Sequence, residues 1–295
     1  MSEATASVRS KPEEKRSQPS LSGQCFAEFF GTLILVFFGV GSVNTAVATG
    51  AQQGLWQVAV VWGFGIALAI YTVGAVSGAH INPAITIAMA IWRGFPGKKV
   101  VPYILSQLAG AICGSLILFA LFHGAIAHFE SVQGILRGAP GSQLSGMMFG
   151  EYFPNPAIFG TTPEAFAQVS MATAMLAEAI GTALLACFVF AVTETRNPLN
   201  PRFMAPLFIG MTVAIIISIV APLTQAALNP ARDFGPRLVS YFFGWGEIAI
   251  PGPRNGFFTV YILAPIIGAV AGAGVYQWLV KPQLAGGAAE PENAA

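Results

Sequence analysis

The chain contains 295 residues, of which 55% are apolar and only 9% are charged, whereas roughly 25% of residues are charged in an average soluble domain. This composition argues against a soluble fold and indicates a protein that spans a membrane. Because the formal net charge is only +1, the chain lacks the basic character that nucleic-acid binding requires. Its three cysteines lie inside apolar runs without the spacing of a metal site or a disulfide framework, so we expect neither a metal site nor a disulfide. We expect no cofactor either.

Six apolar runs are each long enough to form a membrane-spanning helix, which needs about 20 residues. In chain order they comprise residues 23–45, 56–76, 101–123, 170–193, 203–221 and 257–280. The sequence therefore predicts an all-α membrane protein with one membrane domain over residues 23–280. We divide this domain into a first half (23–123), a linker (124–169) and a second half (170–280).

Polar residues dominate both ends of the chain, residues 1–22 and residues 281–295. Neither segment can bury an apolar core, so both are predicted to be disordered. The first apolar run is too long for a signal peptide and lacks a cleavage signature. Since Lys and Arg are enriched in the connections on the side of the termini, we expect a multi-pass protein of the cell membrane with both termini in the cytoplasm.

The two halves of the membrane domain repeat each other. The opening Ala27-Glu28-Phe29-Phe30-Gly31-Thr32 recurs in the fourth run as Ala-Glu-Ala-Ile-Gly-Thr, and Gly63 to Asn82 aligns without a gap on Gly210 to Asn229. Because each half has three spans, the second half must enter the membrane inverted relative to the first.

Two further apolar segments, residues 77–91 and 224–243, are too short to cross a bilayer. Such segments are predicted to re-enter the membrane and to line a cavity. Each contains an Asn-Pro-Ala motif, and Asn is a favoured helix N-cap while Pro is a favoured first helical residue. The motifs are Asn82, Pro83, Ala84 and Asn229, Pro230, Ala231. We predict two half-helices whose N-termini and Asn side chains face one central point.

The paired motifs HINPA and LNPARDFGP in inverted halves resemble the major intrinsic protein family and, within it, the aquaglyceroporins. Asp233 directly after Arg232 is similar to the glycerol-conducting branch. The resemblance covers about residues 23–280 and implies an aquaporin-like fold with six transmembrane helices and two re-entrant half-helices. It also implies a homotetramer with one pore per subunit, through which glycerol and some water diffuse passively.

The extended stretches before the half-helices are predicted to offer backbone carbonyls to solute hydroxyls, because helix formation cannot satisfy these groups. This carbonyl ladder comprises Gly78, Ala79, His80, Ile81, Gln225, Ala226, Ala227 and Leu228. The duplicated Glu28 and Glu178 are expected to accept hydrogen bonds from the N–H groups of these stretches, with a proton relay as the alternative. His80 is expected to brace the first stretch, with solute contact as the alternative.

The resemblance places four residues at the narrowest constriction, namely Trp62, Ile217, Ala226 and Arg232. Bacterial glycerol facilitators usually hold Gly and Phe at the positions of Ile217 and Ala226. The set found here is more similar to that of plant nodulin-type channels, which leaves open a preference for urea or metalloid acids. We expect Arg237, unlike Arg232, to meet a lipid headgroup.

A coupled transporter and an intramembrane enzyme are the competing functions. Coupling to ions requires ionisable groups along the path, yet the spans contain only Glu28 and Glu178. Ser77 and His80 are the sole neighbouring nucleophile and base, and they lack an orienting partner. We therefore expect no catalysis, and a channel that excludes ions and protons through the positive half-helix ends and Arg232.

Overall fold

The structure is a computed structural model that describes residues 19–284. Six of its helices are long and apolar enough to cross a membrane, which confirms the predicted architecture. In chain order the helices are α1 (Leu21–Thr49), α2 (Leu55–Ser77), α3 (Pro83–Trp92), α4 (Gly97–Gln133), α5 (Met171–Val192), α6 (Ala205–Thr224), α7 (Pro230–Ser240) and α8 (Phe257–Gln283). The predicted disorder of residues 1–18 and 285–295 lies outside the described residues.

Several helix boundaries differ from the prediction, and three of the differences concern the predicted tails and the linker. Helix α1 begins inside the segment that we expected to be disordered, because Ser20 caps it by accepting a hydrogen bond from the Gly23 N–H at 3.1 Å. At the other end, a helical turn over Lys281–Gln283 reaches into the expected tail. Helix α4 continues past the predicted end at residue 123 to Gln133, where Gly134 terminates it in the left-handed conformation.

The linker after α4 is folded against the ends of the helices. It contains three short helices, Gln143–Gly146, Pro156–Phe159 and Pro163–Ala167. Side-chain hydrogen bonds tie it down: the Trp245 indole N–H donates to Ser145 Oγ at 3.0 Å, and Tyr152 Oη donates to the carbonyl of Ile248 at 3.0 Å. This segment therefore covers one end of the helix bundle.

The inverted repeat is visible in the packing. Helix α1 packs on α2 and α4, and its counterpart α5 packs on α6 and α8. At the centre α2 crosses α6 through Gly63 and Gly210, equivalent glycines at which a Cβ atom would overlap the carbonyl oxygen of the other. Each half-helix packs on the third span of the opposite half, α3 on α8 and α7 on α4. The two halves thus form one interlocked bundle.

Candidate functional site

The two half-helices meet head to head through their capping asparagines. Asn82 Oδ1 accepts a hydrogen bond from the Ala84 N–H at 2.8 Å, and Asn82 Nδ2 donates to the carbonyl of Leu228 at 2.9 Å. Asn229 mirrors this arrangement, since its Nδ2 donates to the carbonyl of Ile81 at 2.8 Å. Each amide keeps a second N–H, so two donors and two positive helix ends share the centre of the molecule.

The chain before each half-helix adopts a backbone conformation that non-glycine residues avoid. Ala79 and Ile81 have φ values of 48° and 43°, and the equivalent Ala226 and Leu228 have values of 61° and 55°. A left-handed residue other than glycine costs free energy, of the order of 1 to 3 kcal/mol, and persists only where the surroundings hold it.

Two buried glutamates hold these strained stretches. Glu28 accepts hydrogen bonds from the N–H groups of His80 and Ile81 at 2.9 and 2.7 Å. Glu178 does the same for Ala227 and Leu228 at 3.0 and 2.8 Å. With the N–H groups engaged on the glutamate side, the carbonyl groups are free to face away from it.

Most of the predicted ladder carbonyls have no protein partner. Within residues 19–284, the carbonyl oxygens of six ladder residues accept no hydrogen bond, and these are Gly78, Ala79, His80, Gln225, Ala226 and Ala227. The carbonyls of Ile81 and Leu228 differ from the other six because the opposite asparagine amides already occupy one lone pair of each. The free acceptors are therefore concentrated in the stretches that lead to the centre.

A cavity of about 170 Å³ runs along both stretches and past both asparagines. Its other wall is formed by aliphatic side chains of the spanning helices, namely Leu35, Ile66, Ile70, Leu185, Val189 and Val213. One side of the cavity is thus polar and the opposite side is apolar over its length.

All four predicted constriction residues contribute to the wall of this cavity: Trp62, Ile217, Ala226 and Arg232. The Arg232 guanidinium lies 4.1 Å from the centre of the Trp62 ring, in cation–π contact. Arg232 also forms an ion pair with Glu151 of the linker. Ile217 on α6 and Ala226 in the second stretch add an aliphatic and a small side chain to the same cavity wall.

The interpretation of Arg237 as a lipid-facing residue is wrong. Arg237 is buried, with 1% of its side chain exposed, and its Nε donates to Asp233 Oδ2 at 2.6 Å. A guanidinium needs such partners inside the protein because isolated burial of a charge is costly. The i, i+4 spacing of Asp233 and Arg237 on α7 was a signal for this pair. No comparable signal in the sequence pointed to Glu151.

His80 occupies a place that fits both of its proposed roles. Its Nδ1 lies 3.3 Å from Thr86 Oγ1, and its ring packs against Phe95 and Tyr103 with centroid distances of 4.6 and 5.3 Å. These contacts brace the first stretch, while the same residue forms part of the cavity wall.

Charged side chains gather at the end of the cavity marked by Thr193 and Ala205. Glu194 lies 3.0 Å from Lys281 Nζ and 3.6 Å from Arg196 Nε. Burial acts to raise the pKa of Glu194, but hydrogen bonds from Lys281 and from the Arg196 backbone N–H, together with the charges of Lys281 and Arg93, outweigh burial and lower the pKa. The ionised form of the carboxylate is therefore favoured, and Glu194 ties the connection between α5 and α6 to the end of α8.

The Trp62 ring depends on a glycine of the neighbouring helix, which leads to a prediction. A methyl group on Gly39 of α1 would overlap the ring, so we expect Gly39→Ala to displace Trp62 toward the cavity that it lines. A narrower opening adds to the free-energy barrier that a solute must cross, and an added barrier of ~1.4 kcal/mol is tenfold in rate. We expect any solute that must pass Trp62 to cross roughly tenfold more slowly, as measured by stopped-flow light scattering on vesicles.

Gly41→Ala is the matched control because its methyl group would meet only the flexible end of Leu118, at 3.1 Å. Equal solute fluxes through the two variants would contradict the placement of Trp62 at the constriction.

Comparison with known proteins gives consistent similarities. The family model described as "Major intrinsic protein" matches residues 15–276. The glycerol uptake facilitator protein of Pseudomonas aeruginosa is 43% identical over 275 residues, which cover 93% of this chain and 94% of that protein. The propanediol uptake facilitator PduF of Citrobacter freundii is 42% identical over 90% of this chain and 94% of its own length. Among solved structures, the X-ray structure of the aquaglyceroporin from Plasmodium falciparum matches with a TM-score of 0.76 and 25% identity, over 90% of this chain and 99% of that one.

Proposed function

The chain belongs to the major intrinsic protein family, and we propose that it is a passive membrane channel for glycerol and other small uncharged solutes, with some passage of water. The observation that carries this proposal is the cavity with a polar wall of free carbonyls and an apolar wall of aliphatic side chains. Glycerol has the matching two-sided shape, with hydroxyl groups along one edge and carbon along the other. Relatives named glycerol uptake facilitators are 40 to 43% identical to this chain.

Passage requires glycerol to leave bulk water, and the cavity replaces the hydrogen bonds that are lost. The hydroxyl oxygens of glycerol can accept hydrogen bonds from Arg232 and from the second N–H of Asn82 and Asn229. The hydroxyl groups of glycerol can donate to the free carbonyls. Trp62 and Ile217 offer apolar surface to the carbon atoms of glycerol. Because an unpaired polar group inside a protein costs roughly 1 to 3 kcal/mol, this exchange sets the barrier to permeation.

The same geometry supports the exclusion of ions and protons. Both half-helix N-termini point to the centre, where their partial positive charges oppose a cation. The two asparagine amides are donors at that point, so a single file of water must reverse its orientation there. A proton wire cannot run through such a reversal.

The solute range is proposed to extend beyond glycerol. The aliphatic Ile217 and the small Ala226 leave one side of the constriction apolar and the other open. A diol, which has one hydroxyl group fewer than glycerol, suits this surface, and relatives named propanediol uptake facilitators are 41 to 42% identical. Urea and metalloid acids are the alternative preference that these two residues leave open.

We propose a homotetramer in the cell membrane, with both termini in the cytoplasm and one pore in each subunit. Large apolar side chains on the outside of the bundle support contact with lipid and with neighbouring subunits. Examples with about half or more of their surface exposed are Phe26, Trp56, Phe64, Leu68, Phe208, Ile215 and Ile219.

The proposal is tested with purified protein in proteoliposomes. We expect glycerol to enter faster than into empty vesicles, with a rate that rises linearly with concentration and ignores pH and sodium gradients. A pH-sensitive dye inside the vesicles should report no proton leak. The control is Leu199→Ala, an exposed loop substitution that should conduct like the unmodified protein. Glycerol entry no faster than in empty vesicles, or entry driven by an ion gradient, would overturn the proposed function.

A further inference from the structure

Glu151 of the linker carries the counter-charge of the constriction. Its carboxylate pairs with the Arg232 guanidinium, and both side chains are buried, with 2% and 5% of their surface exposed. The sequence places Glu151 far from both re-entrant segments, in a stretch that is otherwise apolar or small. The fold brings it there because the linker covers this end of the bundle.

A second ion pair holds the backbone of Glu151. Asp233 Oδ1 accepts a hydrogen bond from the Glu151 N–H at 2.7 Å, and Arg237 Nη2 donates to the Glu151 carbonyl. Asp233 and Arg237 are themselves paired at 2.6 Å. The buried Asp233–Arg237 pair thus binds both the backbone N–H and the backbone carbonyl of Glu151, whose side chain pairs with Arg232.

The neighbouring residue is anchored as well. The Tyr152 N–H donates to Gln225 Oε1 at 2.8 Å, and Gln225 begins the second extended stretch. Glu151 is therefore fixed to both sides of the second Asn-Pro-Ala motif, to α7 after it and to the stretch before it.

The charges at this place sum to zero. The two guanidinium groups of Arg232 and Arg237 face the two carboxylates of Glu151 and Asp233. A buried charge that loses its partner is poorly screened, so removing either carboxylate or guanidinium changes the local potential strongly.

We infer that Glu151 is a specificity-determining residue of the channel: as the buried counter-ion of Arg232, it makes the constriction electrically neutral, so that the linker sets the charge that a permeating solute meets. The inference rests on the proposed channel function. It follows that Arg232 donates hydrogen bonds to solutes as half of an ion pair, without the full field of a free cation.

The inference makes opposite predictions for the two halves of the pair. Arg232→Gln leaves the Glu151 carboxylate unpaired and gives the constriction a charge of −1. Glu151→Gln leaves Arg232 unpaired and gives a charge of +1. The double variant is neutral again, like the unmodified protein.

These charge states are read with small ions in proteoliposomes held at zero membrane potential. Guanidinium is the cation and formate is the anion, since both are planar and smaller than glycerol, and radiolabelled uptake is divided by glycerol uptake in the same preparation. We expect Arg232→Gln to raise the guanidinium ratio at least tenfold and the added Glu151→Gln to return it to the original value. Glu151→Gln alone is expected to raise the formate ratio severalfold.

The matched control is a second ion pair, in which Arg137 Nη2 of the linker lies 2.7 Å from Glu130 Oε2 at the end of α4. Neither residue lines the cavity. Glu130→Gln and Arg137→Gln should leave both ion ratios unchanged. A double variant as permeable to guanidinium as Arg232→Gln, an Arg232→Gln variant without guanidinium uptake, or an unchanged formate ratio in Glu151→Gln would overturn the inference. If Arg232→Gln does not fold, as judged by size-exclusion chromatography, the formate ratio decides alone. Glycerol uptake by the unmodified protein that is no faster than in empty vesicles would instead overturn the proposed function.

Discussion

Replacing Ile217 by His and Ala226 by Thr is expected to lower the ratio of glycerol to water permeability roughly tenfold or more. The change adds a ring, a hydroxyl group and new donors at two positions of the cavity wall that we propose to form its constriction, where the side chains are now aliphatic and small. Water can use these donors. Glycerol meets a narrower opening and a polar surface where its carbon atoms need an apolar one, at a cost of about 1 to 3 kcal/mol, and ~1.4 kcal/mol is tenfold in rate.

Stopped-flow light scattering on proteoliposomes measures both permeabilities in one preparation. Ile217→Val is the matched control, because it keeps the wall apolar and removes only a methylene group, and its ratio should stay close to the original one. The double variant should remain folded since both side chains face the cavity. A well-folded double variant with an unchanged ratio would show that Ile217 and Ala226 do not form the constriction.

Replacing Glu28 or Glu178 by Gln is expected to destabilise the protein by about 2 to 4 kcal/mol. Glu28 accepts hydrogen bonds from Ser77 Oγ and Gln107 Nε2, both at 2.7 Å, in addition to the two backbone N–H groups. Glu178 has three donors, because Thr224 Oγ1 donates to it at 2.6 Å. Glutamine offers one oxygen, and its NH₂ group would face donors that need an acceptor.

The loss of stability is measured as a fall in the thermal unfolding midpoint in detergent. We expect this fall to be larger for Glu28→Gln than for Glu178→Gln. Glu164→Gln, an exposed carboxylate of the linker, is the control and should leave the midpoint unchanged. If Glu28→Gln and Glu178→Gln melt at the temperature of the unmodified protein, the glutamates do not hold the strained stretches, and the proton relay regains its place as the alternative.

The residues at the centre of the channel could be predicted from the sequence because each of them occurs twice, once in each half of the repeat. Asn82 and Asn229 cap half-helices through a local rule, and the duplicated Glu28 and Glu178 imply a shared task near a duplicated segment. Local rules of this kind act over a few residues. They therefore predict the half-helices and the six spans. The start of α1 at the Ser20 cap and the end of α4 at Gln133 differ from the predicted boundaries.

The partners of Arg232 and Arg237 could not be predicted in the same way. Glu151 reaches Arg232 only after the linker folds over the bundle, and the linker shows neither periodicity nor repetition. For Arg237, the cost of an intramembrane charge favours a lipid headgroup as the partner, since the sequence alone does not say which side of α7 faces the protein. Its spacing from Asp233, with the cost of an unpaired buried charge, is the physical argument that would have placed it correctly.

The measurement that tests the central claim most directly is a high-resolution structure determined in the presence and in the absence of glycerol. The account predicts glycerol in the cavity, with hydroxyl groups on Arg232, on the Asn82 and Asn229 amides and on the free carbonyls, and with carbon atoms against Trp62 and Ile217. A cavity that holds only water at glycerol concentrations where vesicles take up glycerol would contradict this path of permeation.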